Sequence, residues 1–150
     1  RRTVDTMRDI IWAIQPHQDQ FDEMMLRMKD MTSELLGDSV VYTLDFPDEN
    51  PQRNIAMPFR QNIILIYKEL LHNIIKHAQA TAVHIRLTLT GDELVLIVTD
   101  NGVGFDTRLT DDSGYGVKNL KRRTRGIRGD IRWEPSENGG TRTTLRCTVA

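Results

Sequence analysis

The sequence feature that most restricts the fold is a pair of strand-like segments joined by a two-residue turn. Apolar and polar side chains alternate over residues 83–89, as in a strand with one buried face. Gly91-Asp92 then provides a typical hairpin turn, and residues 94–99 are apolar at nearly every position. A strand of that composition is expected to be central in a sheet or covered on both faces. The pair therefore predicts an antiparallel hairpin within a larger sheet.

Similar patterns predict the remaining elements. Alternation predicts further strands at residues 40–46, around 131–133 and at 143–149. Helical spacing of apolar residues predicts helices at residues 19–37, 58–78 and 117–125. Because the strands mostly follow one another through hairpins while the helices cluster elsewhere, the predicted class is α+β. We expect a two-layer α/β sandwich, in which about three helices cover a mixed, mostly antiparallel sheet of about five strands.

Composition limits the function classes. With 150 residues, 39% of them hydrophobic and 27% charged, the chain is expected to form one folded domain. The formal net charge of -1 excludes a globally basic nucleic-acid-binding protein. A single cysteine, Cys147, excludes an internal disulfide and indicates a reducing compartment. No apolar run approaches the roughly 18 residues of a membrane span, and because the chain begins with Arg1 we expect a piece of a longer protein.

The first 16 residues carry a short helical pattern. Val4, Met7, Ile11 and Ile14 are spaced by three, four and three residues, which places them on one side of a helix that Pro16 would end. Such a stripe occurs both in packing within one chain and in the interface between two copies. The spacing alone favours packing within the chain.

A line of polar side chains follows the long middle helix. Glu69, Asn73 and Lys76 are spaced by four and three residues and so share one helix face, and His77 adjoins Lys76. One interpretation is a solvated face with an ion pair. The flanking residues are apolar, however, so the polar strip is narrow, as in the wall of a cleft.

A glycine-containing segment follows the predicted central strand directly. It reads Asp100-Asn101-Gly102-Val103-Gly104. Glycine allows a ligand to approach the backbone closely, and a carboxylate at a strand end can accept hydrogen bonds from an exocyclic amine. The alternative is an ordinary glycine turn, which is common after strands.

A second glycine-containing segment, Gly114-Tyr115-Gly116-Val117, begins the third predicted helix. Backbone N–H groups at a helix N-terminus bind phosphate without a charged side chain. The basic residues that follow are expected to form a solvated face, from which one or two side chains would help to neutralise a polyphosphate. These basic residues are Lys118, Lys121, Arg122, Arg123, Arg125 and Arg128.

Several common motifs are absent from the sequence. It contains no P-loop, no dinucleotide-binding Gly-x-Gly-x-x-Gly and no Gly-x-Ser-x-Gly nucleophile motif. The four histidines and Cys147 lack the spacing of zinc ligands. These classes of site are therefore not indicated.

Taken together and in this order, the segments resemble the ATP-binding catalytic domain of sensor histidine kinases, within the GHKL or Bergerat-fold ATPase superfamily. The resemblance covers roughly residues 18–150. Residues 69–78 resemble the family's asparagine box, residues 100–105 and 114–120 its two glycine boxes, and Gly139-Gly140-Thr141 its threonine element. The Asn-x-x-Lys-His-Ala sequence and the short interval at residues 106–113 are most similar to a short-lid subfamily.

The resemblance implies two regions and one reaction. Residues 17–150 would form the ATP-binding catalytic domain, and residues 1–16 the C-terminal end of a dimerisation and phosphotransfer helix. The implied histidine protein kinase transfers the γ-phosphoryl group of ATP to a histidine on the dimerisation helices of a homodimer. A response regulator receiver domain then accepts it on an aspartate. The acceptor histidine is not in this chain, since His17 follows Pro16 and is not assigned.

The resemblance also implies how the base is bound. Asp100 would accept the hydrogens of the adenine amino group, and Thr141 would support it through water. Gly102 and Gly104 would let the backbone approach the nucleotide.

At the phosphate end, the resemblance assigns Asn73 to Mg²⁺, because an amide oxygen is a hard ligand for a hard cation. Lys76 and His77 would contact phosphate oxygens. Glu69 would orient a metal-bound water or polarise the nucleophile. The residues expected to close over the triphosphate as a lid are Gly114, Tyr115, Gly116 and Val117.

The implied location is the cytoplasmic side of a protein anchored in the inner (plasma) membrane, and nucleic acid is not an expected partner. Alternatives are a GHKL ATPase, an anti-sigma-type serine kinase, and a non-catalytic interaction module.

Overall fold

A layer of helices packs on a mixed sheet. The computed structural model of the chain describes residues 20–47, 55–104, 115–137 and 139–149; the predicted helix in residues 1–16 lies outside them. Within those ranges, no helix is long and apolar enough to cross a membrane. The elements in chain order are α1 (Gln20–Leu36), β1 (Val41–Asp45), α2 (Met57–Asn73), a π-helical turn (Ile74–Ala78), β2 (Ala82–Thr90), β3 (Glu93–Asp100), α3 (Tyr115–Gly126), β4 (Asp130–Pro135) and β5 (Thr141–Thr148).

The strands are arranged in the order β1-β2-β3-β5-β4. β1 pairs with β2 in parallel, and the other neighbours are antiparallel. The predicted hairpin joins β2 to β3 through Gly91, whose φ of 60° suits a tight turn. β3 therefore lies at the centre of the sheet. The α+β class and the mixed, mostly antiparallel five-stranded sheet expected from the sequence are confirmed.

The core lies between the helices and one face of the sheet. Leu94, Leu96 and Val98 point from β3 into this layer and are buried. Met24 and Met28 of α1 are buried in the same cluster. Burying a side chain of this size stabilises the fold by about 1.5–3 kcal/mol. The packing fixes α2 and α3 against each other and against the sheet, and so determines where their polar faces lie.

The opposite face of the sheet carries ion pairs in the part of the chain that the structure describes. Arg86 Nε lies 2.9 Å from Asp45 Oδ2, and Arg146 Nη1 lies 3.6 Å from Glu93 Oε1. Ile97 of β3 is opposite Arg86 in the register and is half-buried. Long arginine stems can cover an apolar side chain while their charged ends remain in water. The strand predicted to be central or covered on both faces is central, but none of the described helices covers its outer face.

The helix predicted over residues 58–78 is divided into two parts. The α-helix ends at Asn73, and the chain continues as a π-helical turn over Ile74–Ala78. Pro58 lies in the first turn, as predicted, where its missing N–H removes no helical hydrogen bond. Gln79 follows with a φ of 53°. A π-helical turn holds more residues per turn than an α-helix, so it changes the direction of the side chains in and after it, and such turns are frequent at functional sites.

Candidate functional site

Two buried polar side chains lie at neighbouring strand ends. Asp100 is the last residue of β3 and Thr141 the first of β5, and both are 7% exposed. The register pairs Thr99 with Arg142, so Asp100 and Thr141 occupy the next positions on adjacent strands. Both belong to the alternate positions that face the helices. The structure thus brings these two predicted site residues together.

The Asp100 carboxylate retains an unused hydrogen-bond acceptor. Its Oδ1 accepts a hydrogen bond of 2.9 Å from the backbone N–H of Gly102. Among the residues that the structure describes, no donor bonds the other carboxylate oxygen. Buried polar groups normally have partners, and this oxygen is therefore suited to a ligand that donates an N–H, such as an exocyclic amine.

Three backbone segments meet beside Asp100 without side chains between them. A Cβ atom at Gly102 would lie 2.0 Å from the carbonyl oxygen of Ala78, and one at Gly140 would lie 2.1 Å from that of Asp100. The Val103 N–H also donates to the Ala78 carbonyl at 2.7 Å. The end of the π-helical turn, the loop after β3 and the start of β5 therefore form a continuous backbone frame in which only glycine fits at the two contacts.

Asn101 fixes this frame, and sequence reasoning did not single it out. Its Oδ1 accepts hydrogen bonds of 2.9 Å from the N–H groups of Thr81 and Ala82, and its Nδ2 donates to Thr81 Oγ1 at 2.9 Å. An amide side chain can both accept and donate, whereas an aspartate here would only accept. The sequence feature that indicates this role is the position of the asparagine directly after a strand, where its side chain often forms hydrogen bonds with nearby backbone groups. Gly104, with a φ of 90°, ends the described part of this loop.

The polar residues of α2 and the π-helical turn differ in exposure. Glu69 and Asn73 are half-buried, while Lys76 and His77 are exposed. None of these four side chains forms a hydrogen bond or ion pair with another described residue. All four therefore retain their capacity to bind a ligand.

A cavity of about 240 Å³ lies between α2 and α3 and is called the α2–α3 cavity below. Glu69 and Lys76 line it, so the structure brings these two predicted site residues together, whereas Asn73 and His77 lie outside its lining. The other described residues that line it are Leu65, Lys68, His72, Asn119, Leu120 and Arg123.

Arg123 is the cationic residue that α3 contributes to the α2–α3 cavity. Burial lowers the pKa of its guanidinium, Arg122 acts in the same direction, and Glu69 acts to raise it. The Arg123 and Glu69 side chains thus influence each other, but in the described part of the chain they form no ion pair within 4.0 Å. The sequence places Arg123 among six basic residues and offers no signal that separates it from the others, because the packing of α3 on α2 decides which of them points into the cavity.

The second glycine-containing segment is described in part. Gly114 lies outside the described residues. The backbone of Tyr115, Gly116 and Val117 forms the first turn of α3, and the structure describes only the backbone of these three residues. The closure of this segment over a triphosphate stays a prediction.

The chain matches the family of histidine kinase-, DNA gyrase B-, and HSP90-like ATPases over residues 60–150. It is 38% identical to the sensor histidine kinase ComP of Bacillus subtilis (strain 168) over 81 residues, which are 53% of this chain and 10% of that protein. It is 31% identical to the nitrate/nitrite sensor protein NarX of Escherichia coli (strain K12) over 91 residues, which are 61% of this chain and 15% of NarX. The chain thus spans a small part of both relatives.

Solved structures share the fold at low sequence identity. The histidine kinase domain of the blue-light activated histidine kinase EL346 from Erythrobacter litoralis is similar at a TM-score of 0.72 and 13% identity, over 96% of this chain and 70% of that one. The ATP binding domain of PrrB from Mycobacterium tuberculosis is similar at a TM-score of 0.62 and 18% identity, over 81% of this chain and 93% of that one. These likenesses establish the architecture of the sandwich.

Proposed function

Because the chain belongs to the family of histidine kinase-, DNA gyrase B-, and HSP90-like ATPases, we propose that it is the ATP-binding catalytic domain of a sensor histidine kinase. The family predicted from the four sequence motifs is confirmed by this match and by the similarity to sensor histidine kinases. The short-lid subfamily stays a prediction. The observation that supports nucleotide binding most directly is the buried Asp100 carboxylate, which has an unused acceptor beside a backbone frame of glycines.

The space beside Asp100 is proposed to hold adenine. The unused carboxylate oxygen would accept a hydrogen bond from the adenine amino group, whereas guanine presents a carbonyl oxygen at the same ring position and would be disfavoured. Thr141 would support Asp100 through water. Gly102 and Gly104 would let the purine lie close to the backbone.

The residues on α2 fit a magnesium ion held together with a nucleotide. Glu69 and Asn73 lie one helical turn apart, carry oxygen donors, and have no hydrogen bonds to other described residues. Mg²⁺ prefers such hard donors and usually takes only one or two protein ligands, with phosphate and water completing its coordination. Asn73 would hold the ion, which when bound neutralises phosphate charge. Lys76 and His77 would bind phosphate oxygens, and Glu69 would orient the attacking group.

The first turn of α3 is proposed to face the triphosphate. Tyr115, Gly116 and Val117 begin the helix, where unpaired backbone N–H groups favour an anion. Together with Gly114 they would close over the phosphates.

The nucleophile of the proposed reaction is a histidine nitrogen outside this chain. Phosphoryl transfer depends mainly on positioning and charge neutralisation, which the residues of α2 would supply. Because the chain spans only 10% of ComP and 15% of NarX, several features are proposals for the whole protein. They are a homodimer formed through residues 1–16, an acceptor histidine on the dimerisation helices, relay to a receiver domain, and a plasma-membrane anchor with this domain on the cytoplasmic side.

Asp100→Asn should weaken ATP binding by about 1–3 kcal/mol, the usual loss for a buried hydrogen bond to a charged group. Calorimetric titration with Mg-ATP and Mg-GTP measures the effect, and the wild-type domain should prefer ATP. Asp45→Asn is a matched control, because Asp45 is exposed on β1 and pairs with Arg86 away from the site. Equal affinity of the wild type for ATP and GTP would contradict the adenine assignment.

The proposed activity is tested by adding a separate helical fragment that carries the acceptor histidine. Labelled ATP should then yield acid-labile phosphohistidine on the fragment, in a reaction that requires Mg²⁺. Hydrolysis of ATP without transfer would favour a GHKL ATPase. Transfer to a serine would favour an anti-sigma-type kinase, and a domain that binds no nucleotide would be a non-catalytic interaction module.

A further inference from the structure

The α2–α3 cavity carries an excess of positive charge. Among the described residues, Lys68, Lys76 and Arg123 line it together with one carboxylate, that of Glu69. Leu65 and Leu120 add apolar lining, and Lys68 and Arg123 are half-buried, so these two charges have reduced contact with water. Fixed charges of one sign in a partly enclosed cavity attract an anion of the opposite sign. The cavity is therefore suited to an anionic group.

The position of the cavity along α2 relates it to the proposed nucleotide. The Ala78 carbonyl contacts Gly102 and Val103 at the proposed adenine end. Glu69 lies nine residues earlier in the chain, which corresponds to at most about 13 Å along the axis, since the π-helical turn is more compact than an α-helix. Lys76 lies between the two ends. A triphosphate that runs along α2 from the adenine end would thus bring its last phosphate to the α2–α3 cavity.

Arg123 has the properties expected of the group that meets this phosphate. It is half-buried on α3, opposite Glu69 and Lys76 of α2 and its π-helical turn. Its guanidinium forms no hydrogen bond with another of the described residues. A guanidinium can bind two phosphate oxygens at once, which gives a stronger and more directional contact than an ammonium group does.

On this basis we propose that Arg123 binds the terminal phosphate of the nucleotide in the α2–α3 cavity and so makes the domain prefer ATP to ADP. The inference rests on the proposed function, because it takes the ligand of the Asp100 site to be an adenine nucleotide. It adds a side chain from the middle of α3 to a proposed site that otherwise uses α2, the π-helical turn, β3, β5 and the first turn of α3. The preference arises because ADP lacks the phosphate that reaches Arg123.

The test compares the affinities for Mg-ADP and for a non-hydrolysable Mg-ATP analogue by calorimetry. Arg123→Gln should lower the affinity for the ATP analogue about tenfold, the effect of losing a charge-assisted contact of roughly 1.4 kcal/mol, and should leave the affinity for ADP within about twofold. Arg125→Gln is the matched control. Arg125 lies two residues further along the same helix, is exposed, and is not part of the cavity lining. This control should leave both affinities unchanged.

Several outcomes would overturn the inference while leaving nucleotide binding intact. One is equal loss of ADP and ATP-analogue affinity in Arg123→Gln, and another is the same ATP preference in the Arg123 and Arg125 variants. If Arg123→Gln transferred phosphate to the histidine fragment more slowly but kept its preference for ATP, the cavity would instead bind an acidic side chain of the fragment. If the wild-type domain bound neither nucleotide, the proposed function itself would be contradicted, and the inference with it.

A second variant covers the case in which Arg123→Gln does not fold, as judged by thermal melting. Lys68→Gln removes a cation from the α2 side of the same cavity. It should lower the preference for the ATP analogue over ADP by about threefold, less than the Arg123 variant because an ammonium group attracts phosphate as a point charge and cannot form the two-point contact of a guanidinium. An unchanged preference in this variant would count against an anion site in the cavity.

Discussion

Replacing Asn73 with alanine is expected to reduce magnesium-dependent phosphoryl transfer by about 100- to 1,000-fold while the domain stays folded. The Asn73 amide is half-buried, forms no hydrogen bond within the described ranges, and is not needed for core packing. Loss of the proposed ion contact removes several kcal/mol of charge stabilisation from the transition state. The rate of phosphohistidine formation on the added helical fragment measures the effect.

Asn62→Ala is the matched control for this variant. Asn62 is another half-buried asparagine of α2, where its Nδ2 lies near Gly126 and away from the Asp100 site. The control should retain its transfer rate, and thermal melting should be close to that of the wild type for both variants. A normal transfer rate in Asn73→Ala would refute the role of Asn73 in holding magnesium.

Gly140→Ala is expected to destabilise the domain by roughly 3 kcal/mol and to abolish measurable ATP binding. The residue has a φ of 77°, which costs about 1–2 kcal/mol for a residue with a side chain. Its added methyl group would also meet the Asp100 carbonyl oxygen at 2.1 Å and the Gly102 nitrogen at 2.7 Å. Since both neighbours are backbone atoms, the strand ends must separate, at a further cost of about 1–3 kcal/mol. Chemical denaturation and nucleotide titration measure the two effects.

Gly139→Ala separates the two causes. Gly139 has nearly the same φ, 79°, but the nearest atom to an added Cβ lies 3.9 Å away. This variant should therefore lose only the conformational part, about 1–2 kcal/mol, and should still bind ATP. Equal losses of stability in the two variants would show that the backbone contact at Gly140 contributes little.

The sequence predicts the sheet and the ends of its strands well because these depend on periodicity and on a few turn residues. The alternation over residues 83–89 and the Gly91 turn are enough to place the β2–β3 hairpin. The position of Asp100 directly after a buried strand likewise predicts a polar group at a strand end. The burial of Asp100 follows from its being one of the alternate positions that face the helices.

Other features depend on tertiary packing and were not predictable in the same way. From the sequence, Ile97 is expected to be covered by a second layer. In the structure it is half-buried on the outer face of the sheet, where it pairs with Arg86 in the register. The π-helical turn over Ile74–Ala78 differs from an α-helix by about one residue in a turn, which the pattern of apolar residues does not resolve. Arg123 is one of several cations on α3, and only the packing of α3 on α2 points it into a cavity.

The backbone frame around Gly102 and Gly140 has a consequence for how such a domain can be controlled. The proposed adenine end is built from main-chain segments in direct contact, whereas the proposed phosphate end depends on long side chains from two separate helices. A small tilt of α3 would weaken the proposed contact between Arg123 and the terminal phosphate, and the adenine would stay bound. Signals from elsewhere in a larger protein would then change the rate of phosphoryl transfer while ATP stays bound.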